Sequence, residues 1–224
     1  MFEMNPVIAV LVIVIGVVFH EVAHGWTAKR LGDRTAENAG RLTLNPIPHL
    51  DPVGSIIVPA ALVLLNAGVV FGWAKPVPVN PYNFRGDIKR GMMLVSLAGP
   101  GSNLLLAAGG AVLLGLFMGF QGFQQFWEAI RTLPGSFLYA LIQINLVLAF
   151  LNLLPVPPLD GSKILAGILP GRQEWLYTLE KYGFVVLIVL LVTGAIGVYL
   201  TAVVLPSFQF LLKFAANIAR FFGS

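Results

Sequence analysis

The sequence predicts an all-α polytopic membrane protein, a bundle of about four to five transmembrane helices with one re-entrant or broken apolar segment. Three observations predict it. Of 224 residues, 57% are hydrophobic and 11% charged, with a mean hydropathy of +0.84, whereas a soluble domain carries about 25% charged residues. Five apolar stretches come close to the roughly 20 residues that a spanning helix needs. The 14 lysines and arginines are scattered in short loops beside those stretches, as membrane topology requires. The net charge of +4 therefore reflects topology, and no nucleic-acid partner is expected. The absence of cysteine excludes disulfides and thiolate metal sites.

The first apolar stretch runs from about Pro6 to Ala28 and ends in Trp26, Lys29 and Arg30, an interfacial anchor. Met1 to Asn5 lacks the positive flank of a signal peptide, so no cleaved leader is expected. The second stretch, about Val53 to Gly72, is interrupted by Pro59 and Gly68. The third covers about Met92 to Phe120. The fourth runs from Ser136 to about Leu154 and must end at Pro155-Val156-Pro157-Pro158. The fifth covers Tyr182 to Leu205 and stops at Pro206. Beyond it, Phe210, Leu211, Phe214, Ile218 and Phe221 recur at helical spacing with Lys213, Asn217 and Arg220 between them. That pattern predicts a helix on the membrane surface, with packing on the bundle as the alternative.

Between the first and third stretches lie two proline-rich loops, Arg41 to Gly54 and Gly72 to Arg90. In the second, Pro76, Pro78 and Pro81 permit an extended segment but bar it from the middle of a sheet. An edge strand or a polyproline-like stretch is expected there. No internal repeat or long linker appears, so residues 1–224 form one predicted domain. Its core is expected at about 6–165, followed by a C-terminal helix plus surface helix at about 182–222.

The chemistry is concentrated in His20-Glu21-Val22-Ala23-His24, at the end of the first apolar run. Residues four apart on a helix share a face, so both imidazoles can reach one ion. Glu21 lies beside them as a candidate base for a water that the metal activates. Such groups are costly in hydrocarbon, which favours a functional reading. The chain is thus read as a metallohydrolase working inside a membrane.

A catalytic zinc site needs a third protein ligand. His49 sits in a polar loop where a turn-stabilising or gating role fits better. Asp33, Glu37, Asp87, Glu174 and Glu180 lie in charge-bearing loops and are expected to be mostly solvated. Asp51, before Pro52, suits an Asx-type turn. Asp160 differs, because it follows an apolar span and three prolines and would be presented from irregular backbone at membrane depth. Such backbone is tolerable only where protein or a cavity surrounds it. A helix N-cap is the alternative role. With the histidine pair in the same chain, the ligand role is preferred, giving one Zn²⁺ held by His20, His24 and Asp160.

These motifs resemble the site-2 protease family of intramembrane zinc metalloproteases. His20-Glu21-x-x-His24 matches its first motif, and Asn152 to Gly161 matches its N-x-x-P-x-x-P-L-D-G motif at every named position. Gly99-Pro100-Gly101-Ser102-Asn103 is similar to the G-P-x-x-N element of its central helix. Asn45 to Gly54 and Gly72 to Asn80 resemble a compact prokaryotic branch without a PDZ domain. The resemblance implies hydrolysis of peptide bonds in or near transmembrane segments of protein or peptide substrates in a lipid bilayer. It also implies catalytic roles for Glu21 and for Asn152, the latter as donor to the oxyanion. Asn103 and the extended residues Ala74, Lys75, Val77 and Val79 are candidates for substrate binding, the segment acting as an added strand. The alternative function is a non-proteolytic membrane metal-binding or transport protein; Glu21, which a pure binding site does not need, argues against it.

The metal site also constrains topology. Lys29 and Arg30 place the zinc end of the first span towards the cytoplasm, in a multi-pass cell-membrane protein. Asp160 must reach the same depth, so residues 29–91 must leave and return on one side. The Val53 to Gly72 stretch is therefore expected not to cross. Eleven basic residues (Lys29, Arg30, Arg34, Arg41, Lys75, Arg85, Lys89, Arg90, Lys163, Arg172 and Lys181) then fall on the zinc side. Only Arg131 is assigned to a loop on the opposite face.

Overall fold

A computed structural model describes residues 5–65, 72–123, 126–171 and 174–223. Helix α1 spans Pro6–Arg30; Pro6 occupies the first turn, and the Asn5 side chain accepts from Val7 N–H, satisfying one of the donors a helix start leaves free. At its other end the Arg30 guanidinium lies 3.7 Å from the Trp26 ring centroid, which fits the anchoring expected of that pair. A short helix, α2 (Thr35–Asn38), follows. The loop after it contains a 3₁₀ turn at Ile47–His49, a π-helical turn at Pro52–Ile57 and helix α3 (Val58–Leu64).

The Val53 to Gly72 stretch is broken, as expected, and gives no helix long enough to cross a membrane among the described residues. Residues 66–71 lie outside those described. No β-strand forms among the described residues; residues 72–80 lie outside any helix or strand, and a 3₁₀ turn follows at Pro81–Asn83. Prolines at 76 and 78 lack the N–H that a ladder needs.

Helix α4 (Ile88–Gln121) is the central element, packed against α1, α6, α7 and α9. The Asp87 carboxylate accepts from Arg90 N–H at its start, and Gly122, at φ +67°, ends it in the left-handed conformation. Helices α5 (Phe126–Arg131) and α6 (Leu133–Asn152) return the chain, with the Thr132 hydroxyl capping α6. Helices α7 (Asp160–Ile168), α8 (Glu174–Val192) and α9 (Ala195–Phe222) complete the fold.

Among the described residues, four helices are long and apolar enough to span a membrane: α1, α4, α6 and α9. The last replaces two expectations. The apolar stretch from 182 to 205 is divided by a break at Gly194 (φ +77°), and the chain from 195 to 222 is one helix running through Pro206. Its C-terminal half packs on the bundle rather than lying apart as a surface helix. A Cβ on Gly115 would fall 2.5 Å from the Ala215 carbonyl oxygen, and one on Gly119 3.0 Å from that of Ala219. Glycines four apart let the two backbones meet, the close approach that drives helix association in lipid. Tyr199, near the start of α9, donates to the Phe150 carbonyl at the end of α6. Helix α9 therefore runs from the α6 C-terminus to the far end of α4, and Lys213 and Arg220 join Arg131 on that half.

Candidate metal centre

Two helices bring three ligand-type side chains to one point. His20 and His24 lie one turn apart on α1, and Asp160 is the first residue of α7. His20 Nε2 is 3.1 Å and His24 Nε2 is 3.3 Å from Asp160 Oδ2, and the three ligand atoms lie within 4.8 Å of one another. Tetrahedral zinc with bonds of about 2.0–2.2 Å separates its ligand atoms by about 3.3–3.5 Å. The donor set and its spacing fit a zinc ion.

The other face of each imidazole is fixed. His20 Nδ1 lies 2.7 Å from Asn103 Oδ1, and His24 Nδ1 lies 2.7 Å from the Val95 carbonyl oxygen. A carbonyl only accepts, so His24 must carry its proton on Nδ1. Asn103 Nδ2 donates to the Gly16 carbonyl and to Asn145 Oδ1, at 3.0 and 2.9 Å, which turns its oxygen to His20. Asn145 in turn donates to Leu141 O. Both Nε2 lone pairs therefore face Asp160, the tautomer a metal requires.

Gly99 admits this arrangement. A Cβ there would fall 2.5 Å from His24 Cε1 and Nε2 and 2.6 Å from His20 Cε1. Gly161 has a similar reason to be glycine. Its φ is not positive, but a Cβ would lie 2.3 Å from the carbonyl oxygens of Leu153 and Leu154. Close approach, rather than a left-handed backbone, demands it. Asp160 begins α7 and is buried, with Leu159 at the capping position.

Glu21 lies beside the group, and its Oε2 accepts the Val77 backbone N–H at 2.7 Å. The residues read as a substrate strand thus lie against the candidate base. The N–H groups of Trp73 and Lys75 donate to the carbonyls of Gly54 and His49, at 3.1 and 2.9 Å. Ala74 and Val79 hold the N–H groups of residues 73–79 that have no internal partner among the described residues. Asn152 closes α6, where its amide donates to Leu148 O; no hydrogen bond links it to the histidines among the described residues. Asn103 contacts His20, not an open cleft, and is buried.

Asp33 departs from the solvated role expected of it and is fully buried. It accepts from the Asn80 N–H at 2.7 Å, from Asn83 Nδ2 at 2.8 Å, and from the Thr35 N–H and hydroxyl. Burial opposes its charge, but these hydrogen bonds prevail and hold the carboxyl below its ordinary value. Glu37 pairs with Lys29, whose hydrogen bond lowers its pKa. Asp51 accepts from the N–H groups of Val53 and Gly54, the Asx-type turn expected. His49 is buried, with Nε2 2.9 Å from Thr43 O.

The interhelical hydrogen bond between Asn103 and Asn145 is the role expected of asparagines inside spanning helices; the Asn103–His20 contact is what sequence reasoning missed. The spacing of Gly99 and Asn103, four apart and so on one helical face, was the available signal.

The profile described as peptidase family M50 matches residues 127–194. Two relatives bear the name "Putative zinc metalloprotease": YwhC of Bacillus subtilis and Rip2 of Mycolicibacterium smegmatis. YwhC is 44% identical over 82% of this chain and 80% of its own length. Rip2 is 34% identical over 85% of this chain and 69% of its own. The "Probable protease eep" of Enterococcus faecalis is 40% identical over 25% of this chain and 15% of its own length. No solved structure matches significantly.

Proposed function

This chain belongs to peptidase family M50, the site-2 protease type of membrane zinc metalloprotease, and from that membership we propose its substrates, site and orientation. It cleaves peptide bonds in or near the transmembrane segments of other proteins in the cell membrane. The observation that carries this reading is the convergence of His20, His24 and Asp160 with both imidazoles held by their outer nitrogens.

In this reading His20, His24 and Asp160 hold the zinc. Bound there, the ion supplies Lewis acidity, lowering the pKa of water and polarising the scissile carbonyl. Glu21 takes the proton from the attacking water and passes it to the leaving amine. Asn152 donates to the tetrahedral oxyanion once its amide turns from Leu148 O. Asn103, the Asn145-linked support of His20, acts on substrate only through that histidine.

The outer edge of residues 74–79 receives unwound substrate. With Trp73, Lys75 and Val77 donating inwards and Pro76 and Pro78 lacking N–H groups, that edge works mainly through acceptor carbonyls. The metal end of the bundle faces the cytoplasm, because ten of the described basic residues flank it and three, Arg131, Lys213 and Arg220, lie on the other half.

Purified protein tests this with a transmembrane peptide in detergent or vesicles. Cleavage that a chelator abolishes and zinc restores is expected. A protein that binds one zinc and leaves every transmembrane peptide intact would favour a metal-binding or transport role.

A further inference from the structure

Two residues with buried nitrogen-bearing side chains, Arg41 and His49, hydrogen-bond residues 75 and 76, and the proposed chemistry uses neither. Arg41 is 7% exposed. Its guanidinium donates to the carbonyls of Lys75, at 2.6 Å, and Pro76, at 3.4 Å, and no carboxylate pairs with it among the described residues. His49 is 1% exposed, and its carbonyl receives the Lys75 N–H. A buried cation without a carboxylate is costly, so its hydrogen bonds to this backbone need a reason. A planar guanidinium can reach two successive carbonyls, which an ammonium does poorly.

What this cradle fixes is Val77. The side chain of Val77 is buried in space left by Gly25, where a Cβ would fall 2.9 Å from Val77 Cγ1. Pro76 and Pro78 flank it, with φ fixed and no N–H of their own. Between them the Val77 N–H is the single donor, and it meets Glu21 Oε2. Asp33 holds the end of the segment through Asn80.

We propose that residues 73–80 form an orienting segment for Glu21, with the Val77 amide fixing the carboxylate and Arg41 as the positioning residue that holds that amide in place. This rests on Glu21 being the general base. A glutamate on a helix has three side-chain torsions to settle. Anchoring Oε2 leaves Oε1 as the oxygen that takes the proton, and fixes where it points. The segment is a fixed part and not a lid. It is tied at Trp73, Lys75, Val77 and Asn80, and moving it would strip the buried Arg41 of its carbonyl acceptors and the buried Asp33 of the Asn80 N–H.

The test uses the full chain, a transmembrane peptide substrate and measured zinc content. Val77→Pro removes the N–H, whereas Val77→Ala keeps it and loses only side-chain volume. Val77→Pro should lower kcat about tenfold to a hundredfold with zinc retained and KM little changed, and Val77→Ala should lose markedly less. Arg41→Gln should lower kcat about tenfold with zinc retained, and Arg41→Lys should recover part of the loss. If Val77→Pro fails to fold, the Arg41 pair decides by the same criterion. Unchanged or raised kcat in Val77→Pro, or losses in KM or zinc alone, would overturn the proposal. Glu21→Gln is assayed alongside. If it still cleaves, the base assignment has failed; if it is inactive while Val77→Pro and Arg41→Gln are fully active, only the positioning role has failed.

Discussion

His20 Nδ1 and Asn103 Oδ1 lie 2.7 Å apart, joining α1 to α4 at the candidate metal centre. The asparagine is itself held from two sides, by Gly16 of α1 and Asn145 of α6, so three spanning helices decide where one imidazole points. Removing the partner of a metal-binding histidine costs about tenfold to a hundredfold in metal affinity. Asn103→Ala should therefore weaken zinc binding by that factor in a chelator competition. An affinity equal to wild type would reduce Asn103 to a packing residue.

Gly99→Ala tests the space rather than the hydrogen bonds. Its Cβ would sit 2.5 Å from two atoms of the His24 ring, so α4 or the imidazole must shift. The expected result is at least about a tenfold loss of zinc affinity, through misplaced ligands, in a protein that still inserts and folds. Normal zinc binding would mean that the helices approach less closely than described.

Asp33 gives a pH signature. Its carboxyl is held below its ordinary value, so its contribution is present above about pH 4 and is lost as pH falls through the lower folded value. Asp33→Asn should cost about 2 kcal/mol at neutral pH, the scale for a hydrogen-bonded buried charge. The gap from wild type should shrink below pH 4. Detergent-phase unfolding at both pH values measures it, and an equal gap at both would contradict the assignment.

The orientation is testable because the chain has no native cysteine. Single cysteines replacing Lys29 and Lys75 should both be labelled from the cytoplasmic side, and one replacing Arg131 from the opposite side. Labelling of the Lys29 and Lys75 positions from opposite faces would exclude this topology.

How much of this was legible depends on range. Helices α1, α4 and α6 announce themselves by apolar length, and His20, Glu21 and His24 by spacing within one turn. The C-terminal region misleads because Gly194 divides an apolar run without altering its hydropathy. Pro206 misleads too, since a proline that ends a helix in water can sit inside one packed against neighbours in lipid. Asp33 looks solvated because two of its partners, Asn80 and Asn83, arrive from about fifty residues away. The contact of Val77 with Glu21 spans 56 residues, and no local pattern encodes it. Proline at 76 and 78 shows only that the segment is extended, not what its one intervening amide touches.

The central claim is that Glu21 performs proton transfer at a zinc site it does not itself build. The direct measurement is zinc content together with cleavage of a transmembrane peptide, wild type against Glu21→Gln. One zinc per chain in both proteins, with cleavage by the wild type alone, is the predicted result. Full cleavage by Glu21→Gln, or loss of its zinc, would contradict the claim.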